Sequence, residues 1–381
     1  MADWDWLNSD LQRLRDAGLW RDVRTIKSLP DGWCEVDGRR VRNLSSNDYL
    51  NLAHDPRLIA AAKEALDEFG VGAGASALVS GRSPWHERLE ATICEFEGTE
   101  AAVLFPSGYA ANVGTISALV SDQDVLFCDR LNHASLIDGC RMSGARMRVY
   151  RHDRLEILER ELRKSTAGSR RWIVTDSVFS MDGDLAPLVA LCDLAEDFGA
   201  RVIVDEAHGT GIFGANGRGV CEYLAVEDRV AVRIGTLSKA IGTLGGFVAC
   251  STSVRDWLWH SARTQVFSTA LPPAICAAAV KSFDLIRIEP KRRQQLMGLS
   301  VKFRELMAGR LSAAGEGPIV PIRVEQPERT QQMAAELLEA GFLVGSIRPP
   351  TVPRGTSRLR ICMTTACHSD EVERLARLLS E

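Results

Sequence analysis

The chain has 381 residues, 45% of them apolar and 25% charged, with a formal net charge of −4. That length suits a large core domain plus a smaller one, and so weak an acidic balance excludes the electrostatic footprint expected of a nucleic-acid or anionic-membrane binder. The basic clusters Arg39-Arg40, Arg170-Arg171 and Lys291-Arg292-Arg293 are short and scattered, and they read as solvated surface. Residues 7–27 carry Leu7, Leu11, Leu14, Leu19 and Trp20 at near-helical spacing, which predicts an amphipathic helix. Residues 33–44 alternate around Asp37-Gly38 and predict a hairpin.

After Asn51 strands and helices alternate. The predicted strands are Ala101–Phe105, Val125–Cys128, Met147–Tyr150, Trp172–Thr175, Val202–Asp205, Val230–Gly235 and Gly246–Cys250, with helices such as Leu155–Arg163 and Leu188–Phe198 between them. This order predicts an α/β domain with a mostly parallel sheet flanked by helices. Pro272-Pro273 opens a long helix, and from about residue 286 a smaller α+β unit follows. It has strands Ile319–Val324, Leu343–Ser346 and Arg358–Met363 around helix Thr330–Ala340, and ends in a helix from Ser369. The expected organisation is 1–50 (helix and hairpin packing with the small domain), 51–285 (large domain) and 286–381 (small domain).

Ten cysteines run from Cys34 to Cys367 without a Cys-x-x-Cys pair, so reduced thiols in a cytoplasmic protein are expected. The start, Met1-Ala2-Asp3-Trp4-Asp5-Trp6, lacks the basic and apolar regions of a secretory leader. No apolar run reaches the roughly 18 residues that span a bilayer.

Ligands of open α/β sheets bind beyond the carboxyl ends of the strands, and polar motifs gather at several such ends. Phe105 leads into Pro106-Ser107-Gly108-Tyr109-Ala110-Ala111-Asn112, a small-residue turn opening a helix, where unused N–H groups suit a phosphate. Cys128 leads to Asp129-Arg130-Leu131-Asn132-His133, whose imidazole either stacks on a flat heterocycle or is satisfied by local backbone. Thr175 leads to a polar turn containing Ser180. Asp205 ends an apolar strand, where a carboxylate needs a partner, and His208 stands three residues on. Lys239 lies amid Thr236, Ser238 and Gly242, after the next strand. An amine that can hold an aldehyde as an imine, with an acid that can keep a pyridine nitrogen protonated, makes a pyridoxal-phosphate (PLP) site. A metal at Asp205, Glu206 and His208 would need further ligands, and no second His/Asp cluster supplies them.

With these motifs in place, from about Leu44 to the C-terminus the chain resembles the PLP-dependent α-oxoamine synthases of the fold-type I transferases. Ser45-Ser46-Asn47-Asp48-Tyr49-Leu50, Gly72-Ala73-Gly74-Ala75-Ser76, the turn Ser107–Asn112, Asn132-His133-Ala134-Ser135, Phe179–Gly183, Asp205–Gly209 and Thr236–Gly242 follow in the family's order. The resemblance implies an imine-forming and proton-moving Lys239, Asp205 on the pyridine nitrogen, His133 on the ring face, and Ser180 and His208 near the phenolic oxygen. It also implies a phosphate cradle of Ser107, Gly108, Tyr109 and Thr236. Ser268 and Thr269 would reach the partner subunit's phosphate in a homodimer with shared sites, and Asn47 and Arg360 would clamp the amino-acid carboxylate. The family condenses a small amino acid with an acyl-CoA or acyl-carrier-protein thioester, losing CO2. The run Ile347–Thr356, with Arg348 and Thr351, resembles the branch that uses alanine and a pimeloyl thioester. Branches that join glycine to acetyl- or succinyl-CoA remain alternatives, as does a silent partner subunit, which would not need Lys239. Ser76 is placed toward the acyl donor. Arg21 either meets the far end of the acyl chain or lies on a solvated helix face.

Overall fold

Fourteen strands form three sheets among the residues that the computed structural model describes, 4–165, 168–311 and 315–380. In chain order they are β1 (Ile26–Ser28), β2 (Trp33–Val36), β3 (Arg39–Asn43), β4 (Ala101–Phe105), β5 (Val125–Asp129), β6 (Arg146–Tyr150), β7 (Arg171–Asp176), β8 (Ala200–Asp205), β9 (Val232–Thr236), β10 (Gly246–Cys250), β11 (Ile319–Glu325), β12 (Phe342–Leu343), β13 (Gly345–Ile347) and β14 (Ser357–Cys362). The chain divides into two units. One comprises Leu50–Ser180 and Asp184–Gln295; the other comprises the chain up to Tyr49, Met181–Gly183 and the chain from Leu296 onward.

The larger unit holds a seven-stranded sheet in the order β4-β10-β9-β8-β7-β5-β6. Neighbouring pairs from β9 through β6 are parallel, whereas β10 is antiparallel to both β9 and β4. Strands β4, β5, β9 and β10 are buried at every residue, as expected of near-continuous apolar runs covered on both faces. The edge strand β6 is largely exposed and carries Arg146 and Arg148, charges that discourage pairing with another chain. Because β10 runs against its neighbours, its first residue, Gly246, pairs with Phe105 and with Thr236. A side chain there would collide with the Ser107 carbonyl, so this glycine lets the β4 turn close over the end of β10.

The boundary after Gln295 falls ten residues later than the sequence pattern predicts, for two physical reasons. Helix Pro273–Ile288 buries Ala274 and Ala277 with Ala65 of helix Pro56–Phe69, and its Phe283 ring packs 4.9 Å from that of Phe96 in helix Pro84–Glu97. The next helix then begins with arginines tied to the same unit. Arg292 donates to the Leu50 carbonyl (3.0 Å) and Asp55 (3.1 Å), and Arg293 to the carbonyls of Ile286 (2.6 Å) and Ala215 (2.8 Å). The expectation that Lys291-Arg292-Arg293 is solvated surface is therefore corrected: Arg293 is buried, its charge spread over backbone carbonyls that would otherwise lack donors.

In the smaller unit β2 and β3 form the predicted hairpin, turning at Asp37 (φ 52°) and Gly38 (φ 74°), the positive pair that a tight two-residue turn requires. Strand β12 adds parallel to β3, and β11-β14-β13 form a separate antiparallel sheet. The N-terminal helix spans only Asp5–Asp16, against the predicted 7–27. Gly18 (φ 65°) turns the chain out of the helix, and residues 26–28 pair as β1 instead. Among the described residues no helix is long and apolar enough to cross a membrane.

Behind the sheet end, Glu206 is buried and accepts from Ser177 Oγ (2.7 Å), Val220 N (3.0 Å) and Cys221 N (2.7 Å). Glu206→Ala strands three buried donors and is expected to lower unfolding free energy by about 3 kcal/mol. Urea denaturation measures this, and a loss below about 1 kcal/mol would contradict the account.

Candidate active site

Five strand ends converge on one cleft of about 190 Å³, lined by Ser107, Gly108, Tyr109, Asn112, His133, Ser135, Asp176, Asp205, Ala207, His208, Thr236, Ser238 and Lys239 among others. After β4, Ser107 caps helix Gly108–Leu119, its side chain accepting from Ala110 N at 3.1 Å. The amides of the first helical turn have no acceptor within the helix, so Gly108 and Tyr109 bring N–H groups and the positive end of the helix dipole to the cleft. Thr236 and Ser238 add hydroxyls 2.8 Å apart, and the Thr236 hydroxyl lies 3.1 Å from where a Cβ on Gly108 would stand.

The β5 loop is held by its own polar side chains. Asp129 Oδ1 accepts from Leu131 N at 2.8 Å, and Asn132 donates to the Val174 carbonyl at 2.8 Å while accepting from Asp176 N at 3.0 Å. His133 N donates to Asp176 Oδ2 at 2.6 Å, and its ring Nδ1 lies 2.7 Å from Ser135 Oγ. Burial holds the imidazole below its usual pKa; Asp205 opposes that shift and Lys239 reinforces it. A neutral ring is therefore presented to the cleft.

Asp205 is 5% exposed and accepts from Asn112 Nδ2 at 2.6 Å and Ala207 N at 2.7 Å. Directly across the β7–β8 ladder stands Asp176. Burial, and then the charge of Asp205, push the Asp176 carboxyl well above the ordinary carboxylate range, because two desolvated neighbours resist carrying charge together. Lys239 Nζ lies 2.8 Å from His208 Nε2.

These donors fit PLP. The helix N-terminus with its hydroxyls matches a phosphate, and Asp205 retains acceptor capacity beyond its two donors to meet a protonated ring nitrogen. The Lys239 amine matches the aldehyde, and His133 offers a flat neutral face. Among the described residues, no group of three His, Cys, Asp or Glu side chains could hold a metal ion.

The structure brings Ser107, Gly108, Tyr109, His133, Asp205, His208, Thr236 and Lys239 together. Ser180 lies outside that lining, in the turn after Phe179. Ser268 and Thr269 line a separate groove with Ser76, Val79 and Phe267; Ser76 and Thr269 are bridged as strands, and Val79 and Phe267 are exposed. Within the smaller unit, Arg360 is buried and donates to Asn47 Oδ1 at 3.1 Å, an oxygen that also accepts from the Tyr49 hydroxyl at 3.1 Å. Arg21 donates to Thr351 Oγ1 at 2.9 Å, and Arg348 donates to the carbonyls of Gly18 (2.7 Å) and Trp20 (2.5 Å), holding down the segment that carries Arg21. Asn112, Ser135 and Asp176 have no assigned role in the sequence reading. For Asn112 the available signal is a lone amide in a run of small apolar residues, which a buried helix retains only with a polar partner.

The aminotransferase class I and II family model matches residues 39–379. The chain is 47% identical over 365 residues to an 8-amino-7-oxononanoate synthase of Geobacter sulfurreducens, covering 95% of this chain and 93% of that one. It is 44% identical over 372 residues to 8-amino-7-oxononanoate synthase 2 of Bacillus subtilis, covering 97% and 95%. A lysine-to-alanine variant of a serine palmitoyltransferase from S. paucimobilis, solved with a bound PLP–myriocin aldimine, superposes with a TM-score of 0.93 at 31% identity, covering 98% of this chain and 96% of that one.

Asn112→Ala removes one of the two donors that hold the Asp205 carboxylate. A hydrogen bond to a charged group is worth about 1.5–3 kcal/mol, so PLP affinity, measured by equilibrium dialysis, is expected to fall at least about tenfold; an unchanged dissociation constant would refute this.

Proposed function

Because the chain belongs to the aminotransferase class I and II family, we propose that it is an enzyme that uses PLP to condense L-alanine with a pimeloyl thioester, giving 8-amino-7-oxononanoate. A carbon–carbon bond forms between the alanine Cα and the thioester carbonyl carbon. The carbon–sulfur bond breaks, and the alanine carboxylate leaves as CO2. The observation that carries this reading is a single cleft holding the Lys239 amine, the buried Asp205 carboxylate and a helix N-terminus. The alanine and pimeloyl assignment draws on the named relatives and on Arg21, Arg348 and Thr351.

When bound, PLP supplies an aldehyde and an electron-withdrawing ring. Lys239 would hold the cofactor's aldehyde and move a proton at the substrate Cα, with His208 Nε2, 2.8 Å from its amine, steering that nitrogen. Asp205 would meet the protonated ring nitrogen, and the Asn112 and Ala207 donors keep Asp205 oriented. His133 would cover the ring, and Ser180 is assigned to its hydroxyl side. Ser107, Gly108, Tyr109 and Thr236 would hold the phosphate. Arg360 and Asn47 hold the amino-acid carboxylate, the guanidinium through paired N–H groups.

Ser268, Thr269 and Ser76 lie together in a groove flanked by the exposed Val79 and Phe267, and we assign that face to a second copy of the chain in a homodimer with shared sites. Dispersed cysteines suit a reducing, cytoplasmic setting. The pimeloyl carrier is CoA or an acyl carrier protein.

Lys239→Ala is expected to alter the visible absorption of the bound cofactor and to lower turnover by at least about 10²-fold; an unchanged spectrum removes its assigned role. Alanine, glycine and serine, each assayed against pimeloyl, acetyl and succinyl thioesters, decide the substrates: preference for glycine with acetyl-CoA would sink the alanine assignment. Arg360→Leu is expected to raise the KM for the amino acid roughly 10- to 100-fold, with a smaller change in the KM for the thioester.

A further inference from the structure

One histidine without a part in the proposed chemistry is built into the same end of the sheet. His152 follows β6 with its side chain 13% exposed; its Nε2 hydrogen-bonds Asp184 Oδ2 at 3.1 Å, and its Nδ1 faces Asp129 Oδ2 at 3.2 Å, an ion-pair distance outside hydrogen-bond geometry. Its ring stacks on Phe179 at 4.1 Å and 19°. A neutral imidazole has a single N–H, so carboxylates on both ring nitrogens are served together only by the imidazolium. The charged groups around it are Asp129 from β5 and Asp184 from the turn after β7. On its own segment stand Arg151 and Asp153, which pair with each other at 2.6 Å, and the buried Tyr150 hydroxyl, which lies near Asp129. Burial opposes the charge on His152, but the two carboxylates outweigh it and push the pKa up to about 10.

Both carboxylates belong to segments that feed the cleft. The other oxygen of Asp129 accepts from Leu131 N and shapes the loop that delivers Asn132 and His133. Asp184 closes a small hairpin that begins one residue after Asp176: Ala186 N donates to the Ser177 carbonyl (3.0 Å), Val178 pairs with Leu185, and Phe179 N donates to the Asp184 carbonyl (3.0 Å). Ser180 lies within that hairpin, directly after Phe179.

We propose that His152 is a positioning residue which, as an imidazolium bridging Asp129 and Asp184, ties the β5 loop to the 177–186 hairpin and so sets His133, Asp176 and Ser180 for cofactor binding. The inference rests on the PLP reading of the cleft. A histidine whose folded pKa is raised contributes stability that is fully present below its unfolded pKa, about 6.5, and that is lost as pH rises through about 10.

The decisive measurement is the NMR titration of His152 in the apo-protein, assigned by comparison with His152→Gln. A midpoint above about 8 is expected; one below about 8 overturns the bridge whatever the cleft binds. In the PLP-loaded protein near neutral pH, His152→Gln and Asp184→Asn are each expected to weaken PLP binding about tenfold and to shift the visible circular dichroism of the bound cofactor. Wild-type melting temperature should decline between about pH 7 and 10, while that of His152→Gln stays comparatively flat. If both variants bind PLP with unchanged affinity and an unchanged visible band, the positioning role is refuted. Should His152→Gln fail to fold, Asp184→Asn and the wild-type titration still decide. Failure of the cofactor reading itself would show separately, as wild-type protein that does not bind PLP.

Discussion

Two carboxylates stand side by side at the ends of adjacent buried strands, and the chemistry of the cleft depends on their inequality. Asp176 and Asp205 are register partners across the β7–β8 ladder, where both cannot comfortably carry charge in a desolvated setting. The surroundings separate them. Asp205 receives donors from Asn112 and Ala207. Asp176 is pushed toward its neutral form by burial and by its neighbour, and accepts the His133 amide. One acid is thereby kept for a cationic ring nitrogen, while the other orients the imidazole that would cover the ring.

The sheet makes that pairing possible. Parallel strands present their carboxyl ends on one edge, so Phe105, Asp129, Asp176, Asp205 and Thr236 all lead into the same region although they are spread over more than a hundred residues. Strand β10 runs the other way and begins there, and its glycine lets the Ser107 turn settle close to Thr236. A hydrogen-bonded layer lies behind this edge. Glu206 gathers Ser177, Val220 and Cys221, while His152 lies between Asp129 and Asp184. These buried acids brace the loops that carry the cleft residues.

Much of the fold was legible because its strands are buried apolar runs and its helices carry local stop signals. All seven strands of the large sheet lie within two residues of the predicted ends, since burial on both faces leaves little else for Val, Ile and Leu to do. The Asp37-Gly38 hairpin was equally readable from turn chemistry. The misreadings have different causes. The N-terminal helix ends at Asp16 because Gly18 turns the chain out of it, and residues 26–28 then pair with the neighbouring β2. Arg293 is buried because the carbonyls of Ile286 and the distant Ala215 accept its protons.

For the site, the sequence by itself determined which groups stand at the strand ends: the Lys239 amine, the Asp205 carboxylate, the His133 imidazole and the Ser107 cap, each announced by the apolar strand before it and the small residues around it. Only the tertiary structure decided their partners. It set Lys239 against His208, Asn112 and Asp176 beside Asp205, Arg348 on the backbone near Arg21, and Ser268 and Thr269 in a groove of their own. The physical reason is that a strand's direction and its end residues are encoded locally, whereas the register between strands and the packing of distant loops set every distance over which a proton or a charge is shared.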